Sequence, residues 1–199
     1  MSVTEEDLKW RARGGARDVF GRRYSESQVM MQPGRRGEDT QGFPKVWYQN
    51  DAERSKQEIC FLGGCVHWRN RPAERPSDAL REGIYIYVIT VDAKFYAIEQ
   101  QPIDERELHH STIPAGKGLI CAGMLRVDVL HRLVKVDNHS GHYMPDLSCL
   151  CKAVYLLRKG GCSIDSYAVG YVPPVGFGNP PMIDYATARE FLVKVPSMP

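Results

Sequence analysis

The apolar pattern of this chain changes period once, at Pro145, and that switch limits the folds open to it. Before it stand IYIYVITV (84–91), KFYAIE (94–99), GLICAGMLRVDVL (118–130) and HRLVKVD (131–137). These runs are dense in β-branched and aromatic residues and read as strands. Asp92-Ala93 is a turn that makes 84–99 a hairpin. In the last run, Leu133, Lys135 and Asp137 alternate with Val134 and Val136, which suggests one wet face. After the switch, in MPDLSCLCKAVYLLRKGG, residues Leu147, Leu150, Cys151, Val154 and Leu157 recur at helical spacing. Pro145 suits the first turn, Asp146 the positive end of the dipole, and Arg158-Lys159 the negative end. Gly160-Gly161 supplies the left-handed stop. Strands followed by one well-marked helix give an α+β expectation: a small, mostly antiparallel sheet with one amphipathic helix packed on it.

Two regions are expected along the chain. Residues 1–80 read as a basic, turn-rich N-terminal region and residues 81–199 as the α+β domain. The first holds KWRARGGARDVFGRRY (9–24), with Trp10, Val19 and Phe20 set among arginines, and the turn-rich connector QPGRRGEDTQGFP (32–44). The glycine pair in the arginine-rich stretch opposes one uninterrupted helix. Such an arm is either solvated or a docking element for an acidic protein partner. EICFLGGCVHW (58–68) is an apolar run broken by Gly63-Gly64, as in a hairpin or tight bend. The tail YVPPVGFGNPPMIDY reads as an extended surface loop, and AREFLVKV (188–195) as a short strand or helical turn.

Composition excludes several classes. With 43% hydrophobic residues the chain can bury a real core. A net charge of +2 gives no ground for nucleic-acid or membrane binding, and no apolar run approaches the roughly twenty residues of a membrane helix. MSVTEEDLKW lacks the basic-then-apolar order of a secretory signal, so the expected location is cytoplasmic, with delivery by a signal-independent route left open. The six cysteines (60, 65, 121, 149, 151 and 162) form no CxxC pair and are expected as free thiols.

The chemistry gathers in HHSTIPAG (109–116) and NHSGHYMP (138–145), which hold four of the six histidines. The second stretch precedes the helix, whose N-terminus offers free amide donors and partial positive charge, suited to an anionic group. Ser140 and Gly141 are expected to meet such a ligand, and Tyr143 to offer a ring platform. That field lowers the pKa of His142, making it a base or donor near neutral pH. In the first stretch His110 would activate Ser111 or face His142 across a ligand, and Lys117 would neutralise an anion. A zinc site from His110, His139 and His142 lacks a carboxylate or thiolate at a matching spacing, so no metal is assigned. The bland alternative is that Ser140 caps the helix with Tyr143 packed beneath it.

The order of these motifs from residue 84 to about residue 165 resembles a domain of the plant calmodulin-binding proteins called the IQM family, and of related bacterial and fungal proteins. There it is the C-terminal domain, with an HHSSF-x-AG segment, an AAG-x-x-V strand and an SGHY-x-P turn before a helix. The resemblance implies that His110, Ser111, Gly116, Ala122-Gly123, Ser140-Gly141-His142-Tyr143 and Pro145 hold signature positions. Thr112 and Ile113 stand where that pattern has serine and phenylalanine. The chain has no I/L-Q-x-x-x-R pattern, so the resemblance carries the domain without the calmodulin-binding motif.

Two functional readings follow. One is a small enzyme or effector- or toxin-like domain that binds an anionic, nucleotide-like ligand and performs group transfer or hydrolysis. His110 and His142 would be its acid and base, and Ser111 its nucleophile. ADP-ribosyl transfer from NAD is one version, with Glu190 the only late glutamate to serve it. The other is a non-catalytic module that binds a ligand or a protein through the same bends.

Overall fold

A computed structural model of the protein describes residues 49–70, 78–100, 108–115, 117–141, 143–173 and 181–195. The basic arm, the 32–44 connector, Gly116, His142 and residues 174–180 of the tail lie outside the described residues.

The strands are β1 (Glu58–Leu62), β2 (Cys65–Trp68), β3 (Gly83–Thr90), β4 (Phe95–Glu99), β5 (Leu119–Val127), β6 (Leu133–Asp137), β7 (Ala168–Tyr171) and β8 (Ile183–Tyr185). The helices are α1 (Asp51–Ser55), α2 (Leu147–Lys159) and α3 (Ala188–Lys194). All eight strands form one sheet, in the order β2-β1-β4-β3-β5-β6-β7-β8.

Local chemistry explains the hairpins. Gly63 and Gly64, at φ +60° and +83°, form the two-residue positive-φ turn whose twist suits the flanking strands β1 and β2. Ala93, at φ 61°, closes the β3–β4 turn and its amide donates to the Thr90 carbonyl at 2.9 Å.

β3 is buried on both faces, because Tyr85 through Ile89 lie in the interior whichever way they point. Tyr85, Tyr87 and Ile89 share a large core with Cys149, Leu150, Ala153, Val154 and Leu157 of α2. Val88 belongs to a second, smaller core on the opposite face with Tyr96, Ile98, Leu119 and Ala122 of the sheet and with Ile113 and Tyr143. The two histidine-bearing stretches therefore cover the face that α2 leaves bare.

α2 ends at the expected glycines but begins later than expected, since Pro145, read as part of the first turn, lies before the N-cap. Asp146 is the N-cap and accepts from the Cys149 amide at 3.1 Å. At the other end Gly161 is left-handed (φ 99°). Its amide donates to the Arg158 carbonyl, and the Cys162 amide donates to that of Leu157, each at 3.0 Å. This double bond pattern is the Schellman stop.

The α+β expectation needs correction. The fold is strand-dominated: its sheet is eight-stranded and mixed, and three short helices are described rather than one. The parallel step is β6–β7, with Lys135 paired to Ala168 and Asp137 to Gly170. Parallel neighbours need a crossover connection, and α2 lies within it. Helical periodicity shows which side of α2 is buried but not which strands it links. β7 and β8 also build part of the tail expected to be loop, and 188–194 is helical. The alternation expected on β6 is broken: Leu133, Val136 and Asp137 are buried and Val134 and Lys135 half-buried, because a register shift at Arg126–Val127 turns Leu133 and Lys135 to opposite faces.

Candidate functional site

The two stretches meet beside the point where β6 parts from β5. Register between them runs from Val127↔Leu133 to Leu125↔Val136. One residue further, the Asp137 carboxylate takes over from the backbone ladder. Its Oδ1 accepts from the Met124 and His139 amides, each at 2.9 Å. From the other face the Tyr87 hydroxyl donates to the Asp137 carbonyl at 2.8 Å and lies 3.4 Å from Cys121 Sγ. Gly123 makes this crossing feasible, since a Cβ there would stand 2.1 Å from the Asp137 carbonyl oxygen. Asn138 then splices three segments. Its Nδ2 donates to the carbonyls of Pro145 (2.6 Å) and Val172 (2.9 Å), and its Oδ1 accepts from the Val172 amide at 2.7 Å.

Burial sets the electrostatics of this junction. It raises the pKa of Asp137 above the ordinary carboxylate value, against the pull of two amide donors and of nearby His139 and Lys135. Burial likewise pushes up Tyr87 and Cys121, so both are neutral at physiological pH.

The first stretch is folded tightly on itself. Thr112 Oγ1 accepts from the His109 amide at 3.1 Å, the Thr112 amide donates to the His109 carbonyl at 2.9 Å, and Ala115 is held at φ 53°. His110 is half-buried, with its Nε2 2.9 Å from the Gly123 carbonyl. Because a carbonyl only accepts, this contact puts the proton on Nε2. Ser111 has 0% of its surface exposed and its hydroxyl has no partner among the described residues. Lys117 is exposed, and its carbonyl accepts from the Tyr143 hydroxyl at 2.9 Å.

In the second stretch Ser140 is buried and Gly141 exposed. Ser140 caps the local turn rather than the helix: its Oγ accepts from the Tyr143 amide (3.3 Å) and its carbonyl from the Met144 amide (2.9 Å). Met144 is left-handed at φ 39°. The α2 terminus lies further on and is already occupied by the Asp146 carboxylate, which weakens the case for an exogenous anion at that tip. Among the described candidates the fold thus unites His110, Ser111 and Lys117 with Ser140, Gly141 and Tyr143 around one cover layer. The proposed partner of His110 across that layer, His142, is not among the described residues.

Three contributors were missed in the sequence. Gln49 donates its amide to the Thr112 carbonyl at 3.0 Å and buries an unpartnered Oε1, yet it lies sixty residues before the motif with no local signal. Asp137 and Asn138 carried a signal that was read wrongly. An acid and an amide in succession end an apolar strand just before the histidine turn, a place where side chains commonly substitute for backbone partners.

This architecture defines a class: a mixed-sheet domain whose face opposite α2 is covered by the turn from His109 to Ala115 and by the turn that carries Ser140 and Tyr143. Residues 53–149 match the family model of the IQ motif-containing protein middle domain, so this segment is similar to that domain. The match begins before the segment that carries the sequence resemblance and takes in α1's second half, the β1–β2 hairpin and the start of α2. The model describes a middle domain, not the C-terminal domain of the resemblance. No curated protein and no solved structure matches the chain. Among the described residues no helix is long and apolar enough to cross a membrane, and no three His, Cys, Asp or Glu residues group as metal ligands.

Proposed function

We propose that the domain is a non-catalytic, protein-binding module of the IQM type, and that the cover built from residues 108–115, 117–118, 138–141 and 143–144 recognises the partner. The observation that carries this reading is how the two stretches use their polar groups. His110 Nε2 is held by the Gly123 carbonyl, and the Tyr143 hydroxyl by the Lys117 carbonyl. The Ser111 hydroxyl has no partner among the described residues. A serine nucleophile needs a base within hydrogen-bond reach and a path to substrate, and this hydroxyl is wholly buried with no base in reach among the described residues. These groups fasten a lid to a sheet.

What the lid presents outward is cationic and imidazole-rich: Lys117 and His139 are exposed, and His109 and His110 half-exposed. That surface suits an acidic protein, and the family match favours a partner of the calmodulin type. The basic arm at 9–24 would add charge of the same sign.

The test is titration calorimetry of the full chain with calmodulin, calcium-loaded and calcium-free. Binding is expected to weaken about tenfold in the double variant Lys117→Glu, His139→Glu, with the melting temperature unchanged. Turnover of NAD or another nucleotide by the wild-type chain, abolished in His110→Ala at unchanged melting temperature, would replace this reading with an enzymatic one.

A further inference from the structure

The lid seals only part of its sheet face. It closes over Val88, Tyr96, Ile98 and Ala122. Side chains two residues along each strand point the same way, so the face continues as Ile86 and Ile84 on β3 and as Met124 and Arg126 on β5. Register places Ile86 beside Met124 and Ile84 beside Arg126, with Lys135 of β6 next in that row. Across Asp137 lies Gly170, over which Met182 is folded; a Cβ on Gly170 would stand 2.5 Å from the Met182 sulfur.

Here the face opens to solvent. Ile84 is 47% exposed, Arg126 is exposed, and Met124 and Met182 are half-exposed. Its charges are unbalanced as well. Lys135 is bound to Asp184 at 2.7 Å, and Asp137 faces inward onto two amides. Arg126 makes no ion pair among the described residues, and the lid edge beyond Met124 adds His110 and His139. The result is an apolar strip with two adaptable methionine side chains and an uncompensated guanidinium at its open end.

We propose that this open strip is a docking face for an acidic, apolar segment of a partner protein, with a carboxylate on Arg126 and apolar side chains over Ile84, Met124 and Met182. It rests on the reading of the domain as a binding module and specifies the chemistry of the partner. Charge complementarity selects the occupant, since a basic segment would meet the Arg126 guanidinium with like sign.

Fluorescence anisotropy with the full chain tests it, using two labelled peptides of about sixteen residues with leucine at helical spacing. One carries glutamate at its polar positions and the other lysine. The wild type is expected to bind the glutamate peptide and not the lysine one. Arg126→Glu should weaken the glutamate peptide about tenfold and gain affinity for the lysine peptide, and Ile84→Asp should weaken the glutamate peptide, all at unchanged melting temperature. The docking face is overturned if the wild type ignores the glutamate peptide, prefers the lysine peptide, or binds the glutamate peptide equally after Arg126→Glu. Binding that survives Arg126→Glu but is lost in Lys117→Glu overturns the strip and leaves the module reading standing.

Discussion

Two buried polar side chains show how unevenly this fold treats its hydrogen-bonding groups. Asn138 has three backbone bonds and joins strand, turn and the segment after β7. Ser111, equally buried, has none among the described residues. A buried hydroxyl left unpaired costs about 1–3 kcal/mol, whereas removing a paired amide leaves three backbone groups without their partner. Ser111→Ala is therefore expected to be neutral or to stabilise by up to about 1 kcal/mol, and Asn138→Ala to destabilise by about 2–4 kcal/mol. Urea unfolding of both variants checks this; a Ser111→Ala loss as large as that of Asn138→Ala would mean the hydroxyl has a partner in solution. Neither role was legible beforehand. Ser111 stands in a motif that looks catalytic, and only its burial argues otherwise. The signal at Asn138 was present as an amide ending a strand, but its partner Val172 lies thirty-four residues away.

Among the elements, α2 is the one whose stop the sequence states outright. Asp146 at the N-cap, basic residues in the last turn and a left-handed glycine at the stop all act within a few residues of one another. The same locality makes the caps separable by mutation. Asp146→Ala removes the bond to the Cys149 amide and should cost about 1 kcal/mol. Gly161→Ala forces an L-side chain into the left-handed region and should cost about 1–2 kcal/mol, although the site has open space around it. The two lie at opposite ends of the helix, so thermal denaturation of the double variant should show additive losses. A double-variant loss well short of the sum would show that the ends are coupled. β7 and β8 are the contrasting case. Proline and glycine around them concealed strands that exist because β6 offers a free edge for β7, and β7 in turn for β8.

At the scale of the molecule, the buried carboxylate of Asp137 ties global stability to pH. Its pKa in the folded state lies above its ordinary value of 3.8, so the folded chain holds that proton more tightly than the unfolded one. The stability this contributes is complete below the unfolded value and is lost as pH rises through the folded one. Asp137→Asn keeps an oxygen to accept from Met124 and His139 but cannot ionise. Urea midpoints across the acid-to-neutral range should show the wild type losing stability relative to the variant as pH rises, with the variant at least as stable at neutrality. The carboxylates held below their ordinary values, at Asp92, Asp128, Asp165 and Glu190, act in the opposite direction but cancel in this comparison. A wild type that gains on the variant with rising pH would refute the burial argument.

The amino-acid order alone determined the strand runs from 84 to 137, the glycine-marked bend at 63–64, the helix and its glycine stop, and the convergence of interest on two histidine-bearing turns. Each of these depends on side chains a few residues apart, where spacing and backbone preference act without help from the rest of the chain. The tertiary structure decided that β6 and β7 run parallel, that Asp137 faces inward, and that His110 holds a strand carbonyl instead of activating its neighbour. It also left Arg126 and Ile84 on an uncovered face. These outcomes depend on which distant segments lie side by side, and the pattern of one segment does not contain the position of another.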